Sequence, residues 1–424
     1  MNKKRLIIPL ILILIAVISL SAAAVLFLRY SSGDPEPADT PEIIADPLTV
    51  PLQTPAPSSS PESEPSPENS PEPEPVREPS PLYCTIWPIK DLEVYADASK
   101  SFVIGTAPVC STYCVLEENA ENSLFRIRLS EGVYGYIDST YCLINLPEYL
   151  GDLCSYDITN SYSSLFAIHE YEIPGLTGRI IRGYEHIRLD DGSFLVPFLY
   201  PCTKKLIPAA NQALEAGFRI RIYDAYRPKT ATESIYNTAV SILDVMLPAA
   251  TYSGKAVALP PVPEPKEGEL PRNYLKYRDL IEQNGWDIGA FLAPGWSRHN
   301  MGVALDMTFE DALTGEELIA QTNMHDLSAY STIYSNNQAS SMIYRLMESN
   351  DLHNIVSEWW HFQDNQAMND LKPPYCEYAV SAEGWTADEK GELYRNADGS
   401  VMKDCVMVTD EGSFVFDADG HLTS

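Results

Sequence analysis

Three textures of hydrophobic and polar patterning follow one another along the chain. Residues 6–28 are apolar apart from Pro9, Ser19 and Ser21. A helix of roughly 23 residues rising about 1.5 Å per residue spans a hydrocarbon layer of about 30 Å. Residues 31–81 have no periodicity: Pro, Glu, Ser and Thr dominate, and such a tract has no apolar face to bury and extends as a spacer. From 83 to 147 the pattern turns to short β-type runs at 92–95, 102–106, 113–116, 125–129 and 134–137. Short strands separated by turn residues predict a small all-β barrel.

Residues 149–375 mix two periods. Apolar positions across 206–218 recur at helical spacing, and 219–224 follows as a strand. A second helix is expected from Thr230 to Met246 after Pro228, a third over 340–347, and a strand over 355–362. The Pro-rich stretch at 247–271 reads as a surface insertion. Helices and strands mixed in this way predict an α+β domain. Two similar units at 391–399 and 412–420, each closing on Asp-Gly, predict a β-hairpin repeat tail over 384–424.

Charge and composition change the picture in three ways. The net charge of -30 excludes a nucleic-acid partner, because phosphate backbones need a cationic surface. Lys3, Lys4 and Arg5, in the basic tip at 1–5, orient the apolar run with its start in the cytoplasm and the rest outside. The expectation is therefore a cell-membrane protein with one transmembrane helix and extracytoplasmic domains. Secretion after signal cleavage near Ala22 to Ala24 is the alternative. Outside the cytoplasm cysteines can pair, and Cys84, Cys110, Cys114 and Cys142 are close enough in sequence for one or two bridges of open connectivity.

The candidate chemistry gathers in three places. In Ser297-Arg-His299-Asn-Met-Gly302-Val-Ala304-Leu-Asp306, an imidazole and a carboxylate supply two ligands suited to zinc. Gly302 and Ala304 remove bulk between them, and Ala304 and Asp306 share one face of an extended segment. Glu358-Trp-Trp-His361 offers the third ligand, His361, and a general base, Glu358. Residues three apart on a regular strand face opposite ways, so these two converge only if Glu358 precedes the strand or a bulge intervenes. Tyr223-Asp224-Ala-Tyr226-Arg227-Pro228 adds Arg227 for a developing oxyanion, with Asp224 to orient it. Of the remaining histidines, His169, His186, His325, His353 and His421 have no such company in the sequence and read as surface or core residues.

Together these motifs resemble the zinc D-alanyl-D-alanine dipeptidases and related D,D-carboxypeptidases of bacterial cell walls. The family pattern S-x-H-x-x-G-x-A-x-D is met at Ser297, His299, Gly302, Ala304 and Asp306, E-x-x-H at Glu358 and His361, and Y-D-x-Y-R-P at Tyr223 to Pro228. The resemblance implies a small zinc D,D-peptidase fold with an antiparallel sheet. It implies one zinc ion per chain on His299, Asp306 and His361, Glu358 as base, and Arg227 at the transition state. Ser297, Asp224 and Tyr226 would serve substrate binding. The implied substrates are peptidoglycan or peptides ending in D-Ala-D-Ala. The doubled Trp before His361 and the Tyr-Asp-x-Tyr-Arg-Pro run lean toward the dipeptidase branch, acting on D-Ala-D-Ala; a D,D-carboxypeptidase or endopeptidase trimming stem peptides, and an inactive wall-binding adaptor, are the alternatives. Residues 83–147 likewise resemble bacterial SH3-like domains, at Val103-Ile-Gly-Thr106 and Gly132-Val-Tyr-Gly-Tyr-Ile137, and the tail resembles cell-wall-binding repeats.

Overall fold

A computed structural model of the chain describes residues 79–168, 171–246, 288–333, 337–375 and 377–423. The chain divides into two compact units, Met1–Glu74 and Pro75–Ser424, and every described residue belongs to the second. The expected membrane helix at 6–28, nearly all of the spacer at 31–81, and the insertion at 247–271 lie outside the described residues. Among the described residues no helix is long and apolar enough to cross a membrane.

The larger segment is built on a five-stranded sheet. Its strand order is His353–Ile355, Glu358–Gln363, Ala304–Asp311, Phe218–Asp224, Cys154–Tyr156. The sheet is mixed, because Cys154–Tyr156 runs parallel to Phe218–Asp224 while the other pairs are antiparallel. The antiparallel expectation therefore fails at this edge, where a helical connection over 200–215 returns the chain in the same direction. Ala304–Asp311 is buried at seven successive positions before Asp311, as a central strand covered on both faces must be.

Helix Tyr200–Glu215 starts with Pro201 in its first turn, where a missing N–H costs nothing. Its buried Cys202, Leu206, Ala209, Ala210 and Ala213 recur at three- and four-residue steps and face the sheet. Gly217, at φ +86°, then turns the chain into the next strand. Lys229–Met246 and Gln338–Glu348 form the other two expected helices. The single strand expected over 355–362 is two, His353–Ile355 and Glu358–Gln363, paired with a register break that proves central to the site.

The smaller β region has two sheets. One runs Val103–Ala107, Leu92–Tyr95, Val133–Asp138, Leu124–Ser130, Glu117–Asn119. The other runs Pro197–Leu199, Cys142–Asn145, Thr85–Pro88, Tyr113–Cys114. Pro197–Leu199 belongs in sequence to the larger segment, yet Phe198 pairs with Ile144, so a sheet crosses the boundary expected near residue 148. One hydrophobic core runs from Ile86 and Leu143 through Phe198 and Leu206 to Ile222 and Leu305. The expected disulfides do not form: Cys84, Cys110, Cys114 and Cys142 are all free thiols. The Cys84 and Cys142 sulfurs instead lie 3.5 Å from the carbonyls of Ser80 and Asp138.

The tail forms two separate hairpins, Gly384–Asp388 with Gly391–Arg395 and Cys405–Thr409 with Gly412–Phe416. They close over the β region. Trp385 packs against Tyr394, Phe414 and Phe416, and the Arg128 guanidinium lies 3.6 Å over its ring while donating to Glu392 at 2.7 Å. Two further contacts staple the start of the described chain to its end. Trp87 Nε1 donates to Ser381 O at 2.9 Å, and Glu148 binds Thr85 N at 2.6 Å and Arg395 at 2.7 Å.

Candidate metal centre

Neighbouring strands place the site residues in one row across the sheet. Asp306 pairs directly with His361 on one side and with Asp224 on the other. The Asp224 pairing follows a register shift after Ile222 that leaves Tyr223 out of the ladder. His299 enters from the short 3₁₀ turn Arg298–Met301, capped by Ser297 and closed by Gly302 at φ +67°. A side chain at Gly302 would be strained there, and its Cβ would stand 2.6 Å from Leu143 Cδ2. The glycine thus lets the turn sit directly on the β region, with Leu199 N donating to Gly302 O at 2.8 Å.

Glu358 reaches the same row through a bulge. Ile355 pairs with Glu358 while the adjacent Asn354 pairs with Phe362, so Trp359 to His361 arch out between them. Asn354 Nδ2 braces the arch, donating to the carbonyls of Glu358 at 2.9 Å and His361 at 2.8 Å. Glu358 Oε2 then lies 3.8 Å from His361 Nδ1. The sequence condition for convergence is met by the bulge.

Three candidate ligand atoms converge tightly. His299 Nε2 is 3.2 Å from His361 Nδ1 and 3.3 Å from Asp306 Oδ1, which is 3.2 Å from His361 Nδ1. Donors about 2.0–2.1 Å from a tetrahedral zinc stand about 3.3 Å apart, so the triangle has the size such an ion requires. The outer hydrogen bonds set the tautomers. His299 Nδ1 donates to Ala225 O at 2.8 Å, and His361 Nε2 donates to Gln363 Oε1 at 3.2 Å, an amide oriented by its own bond to Asn365 Oδ1. Each imidazole therefore turns a lone pair inward. Two lone pairs and a carboxylate oxygen facing one another in a buried site repel unless a cation lies between them, and these residues fit zinc.

Arg227 is buried and held at both ends, with Nε on Asp224 Oδ2 at 2.7 Å and Nη2 on Asp306 Oδ2 at 3.0 Å. Burial opposes its charge, but Asp224, Tyr184 and Asp306 outweigh it and raise its pKa. Burial also opposes ionisation of Asp306, which positive charge beside it at His299 and hydrogen bonding to the neighbouring rings, His325 among them, nonetheless hold well below the usual carboxylate range; a cation in the triangle supplies that same charge when both ligand imidazoles are neutral. Glu358 goes the other way: burial pushes it up to about 8, with Asp306 adding to the shift and His361 and Arg227 opposing it.

The other expected site residues are placed less centrally. Asp224 Oδ2 takes Arg227 and the Tyr184 hydroxyl at 3.1 Å, while Oδ1 has no partner. Ser297 caps its turn through the Asn300 side chain. The Tyr226 hydroxyl clasps the backbone of Tyr378, accepting from N at 2.7 Å and donating to O at 3.1 Å. His186, His353 and His421 pair with Glu377, Glu348 and Asp388 away from the cluster, and His169 lies outside the described residues. His325 is a core residue, as expected, but it has the company that its sequence surroundings did not show. It is buried with Nε2 3.1 Å from Asp306 Oδ2, and no sequence spacing ties it to the three motifs.

Comparison with known proteins gave one family-model match, to VanY: D-alanyl-D-alanine carboxypeptidase, over residues 201–364. No curated protein matches. Among solved structures, the chain is similar to a zinc complex of a mutant vancomycin-resistance D,D-pentapeptidase, VanY from a VanB-type resistance cassette. The identity is 13%, with 51% of this chain and 96% of that chain covered and a TM-score of 0.21. The segment matching the D-alanyl-D-alanine carboxypeptidase family is thus the one that holds Arg227, the His299, Asp306 and His361 triangle, and Glu358.

Proposed function

We propose that the chain is a zinc-dependent D,D-carboxypeptidase that removes the terminal D-alanine from cell-wall peptides. The observation that carries this is the triangle of inward-facing donors 3.2–3.3 Å apart, with the Glu358 carboxyl 3.8 Å from one of them. The family match over 201–364 supports the D,D-peptidase substrate class, and the choice of carboxypeptidase over dipeptidase rests on the expected placement beside the wall.

His299, Asp306 and His361 would hold one zinc ion, which when bound supplies Lewis acidity toward the scissile carbonyl and acidifies water. Glu358 takes a proton from the attacking water as its oxygen bonds to the carbonyl carbon. The C–N bond then breaks, and Glu358 returns the proton to the leaving amine. Arg227, fixed by Asp224 and Asp306, presents positive charge where the carbonyl oxygen becomes anionic. The expected single-pass anchor would place this chemistry beside the wall, which supports a stem-peptide substrate.

The test compares D-Ala-D-Ala with a pentapeptide stem as substrates for the zinc-loaded chain, with Glu358→Ala as control. Release of D-alanine from the pentapeptide, lost in the control, is expected. Cleavage of the free dipeptide alone would replace this reading with the dipeptidase one, and zinc-independent or absent cleavage of both would sink it.

A further inference from the structure

Asp306 is held from two sides on the oxygen that faces away from the ligand triangle. Oδ1 faces His299 and His361, while Oδ2 accepts from Arg227 Nη2 at 3.0 Å and lies 3.1 Å from His325 Nε2. A buried carboxylate can only accept, so the His325 Nε2 carries the proton and donates. Its Nδ1 is then a lone pair, and that atom is buried without a partner. An imidazole whose other nitrogen is left unsatisfied in the interior is there for the bond it does make.

The backbone shows the same selection. His325 has φ +59°, in the left-handed region that a side chain other than glycine adopts at a cost. Such a conformation persists where the surroundings over-determine it. Here a parallel bridge joins Ala167 to Asp326, with Ala167 N donating to His325 O at 3.2 Å and Leu327 N to Ala167 O at 2.7 Å. Phe166, next along that segment, stacks on the imidazole with centroids 4.6 Å apart and planes at 9°. Trp360, inside the bulge between Glu358 and His361, meets the other side edge-on at 5.7 Å. Ring position and ring tilt are thus both fixed, with Nε2 aimed at Asp306.

We infer that His325 is a positioning residue of the metal centre, which holds Asp306 in a one-oxygen ligating posture by donating to Oδ2. This rests on the metal reading above. Arg227 Nη2 shares Oδ2, but its guanidinium is also tied to Asp224, whereas the His325 ring is aimed at Asp306 from the opposite segment and fixes that oxygen from a second direction. Outer-shell bonds of this kind set metal affinity by roughly 10–100-fold.

The experiment measures zinc affinity of the full-length chain by competition with a chromophoric chelator, alongside the melting temperature of the metal-free protein. His325→Asn suits the left-handed backbone but is too short to reach Asp306, whereas His325→Gln carries an amide N–H to about the place of Nε2. Expected is a roughly 10–100-fold loss of zinc affinity in His325→Asn without loss of metal-free stability, and recovery of most of it in His325→Gln. Unchanged affinity in His325→Asn would overturn the role. Equal losses in both variants that track melting temperature would reduce it to packing and overturn it as well. No zinc binding by the unsubstituted chain would instead remove the metal reading itself, and this role with it.

Discussion

At the scale of single residues, the convergence of His299, Asp306, His361 and Glu358 was legible in the sequence because these residues fall in short spacings. His299 and Asp306 stand on one loop-and-strand unit, and Glu358 and His361 on one bulge, so each pair is nearly local. His325 was not legible: its meaning lies in a left-handed φ, a stacking partner at Phe166 and a bond to Asp306, none of which leaves a spacing. The same scale sets the prediction for Arg227. Lysine keeps the charge but not the planar fork that spans Asp224 Oδ2 and Asp306 Oδ2. Arg227→Lys should therefore lower kcat on a pentapeptide substrate by about 10²–10³-fold. Chelator competition should show zinc retained, since the three ligands and the His325 bond are untouched. Loss of zinc in parallel with activity would mean that Arg227 maintains the centre and leaves the oxyanion to other groups.

Among the elements, the three longest described helices and the strand ending at Asp224 were readable from periodicity, with bounds shifted by up to six residues, while the short helices Leu146–Leu150, Thr159–Tyr162 and Asn365–Leu371 were not. The segment at 353–363 was not, since a hydrophobic run with Trp359, Trp360 and Phe362 reads as one strand, and nothing local announces a three-residue arch. The arch depends on Asn354, whose amide satisfies two carbonyls that a regular ladder would have paired. Asn354→Ala should cost about 1–3 kcal/mol in denaturant unfolding, the penalty of buried groups left unbonded. It should also lower kcat more than zinc affinity, because Glu358 begins the arch while the ligand at His361 is still paired with Asp306. Unchanged stability and kcat in this variant would show that the bulge is fixed by packing of the tryptophans alone.

In the molecule as a whole, sequence texture misplaced a boundary. The change of pattern near residue 148 is real, but Pro197–Leu199 completes a sheet on the other side of it, and Leu143 packs on Gly302 within the ligand loop. Long-range strand pairing of this kind has no signature in local hydrophobicity, because Pro197-Phe-Leu199 is too short to read as a strand. A chain starting at residue 149 should therefore expose the edge of Pro197–Leu199 and lose the support beneath Gly302. Association on size-exclusion chromatography and weakened zinc binding are the expected readouts. A monomeric fragment with full zinc affinity would restore the simpler two-domain picture.

The staples from Trp87 to Ser381 and from Thr85 through Glu148 to Arg395 bear on the order of events during synthesis. The residues around Thr85 and Trp87 emerge from the ribosome well before their partners at Ser381 and Arg395. Until then the β region lacks the hairpins that cover Arg128, and its sheet waits with one face open. The ligand triangle is complete in sequence by His361, before Ser381 and Arg395 have appeared. On the proposed zinc reading, metal capture can thus precede final closure of the molecule, and the tail is then a latch set after the segment bearing the triangle has formed.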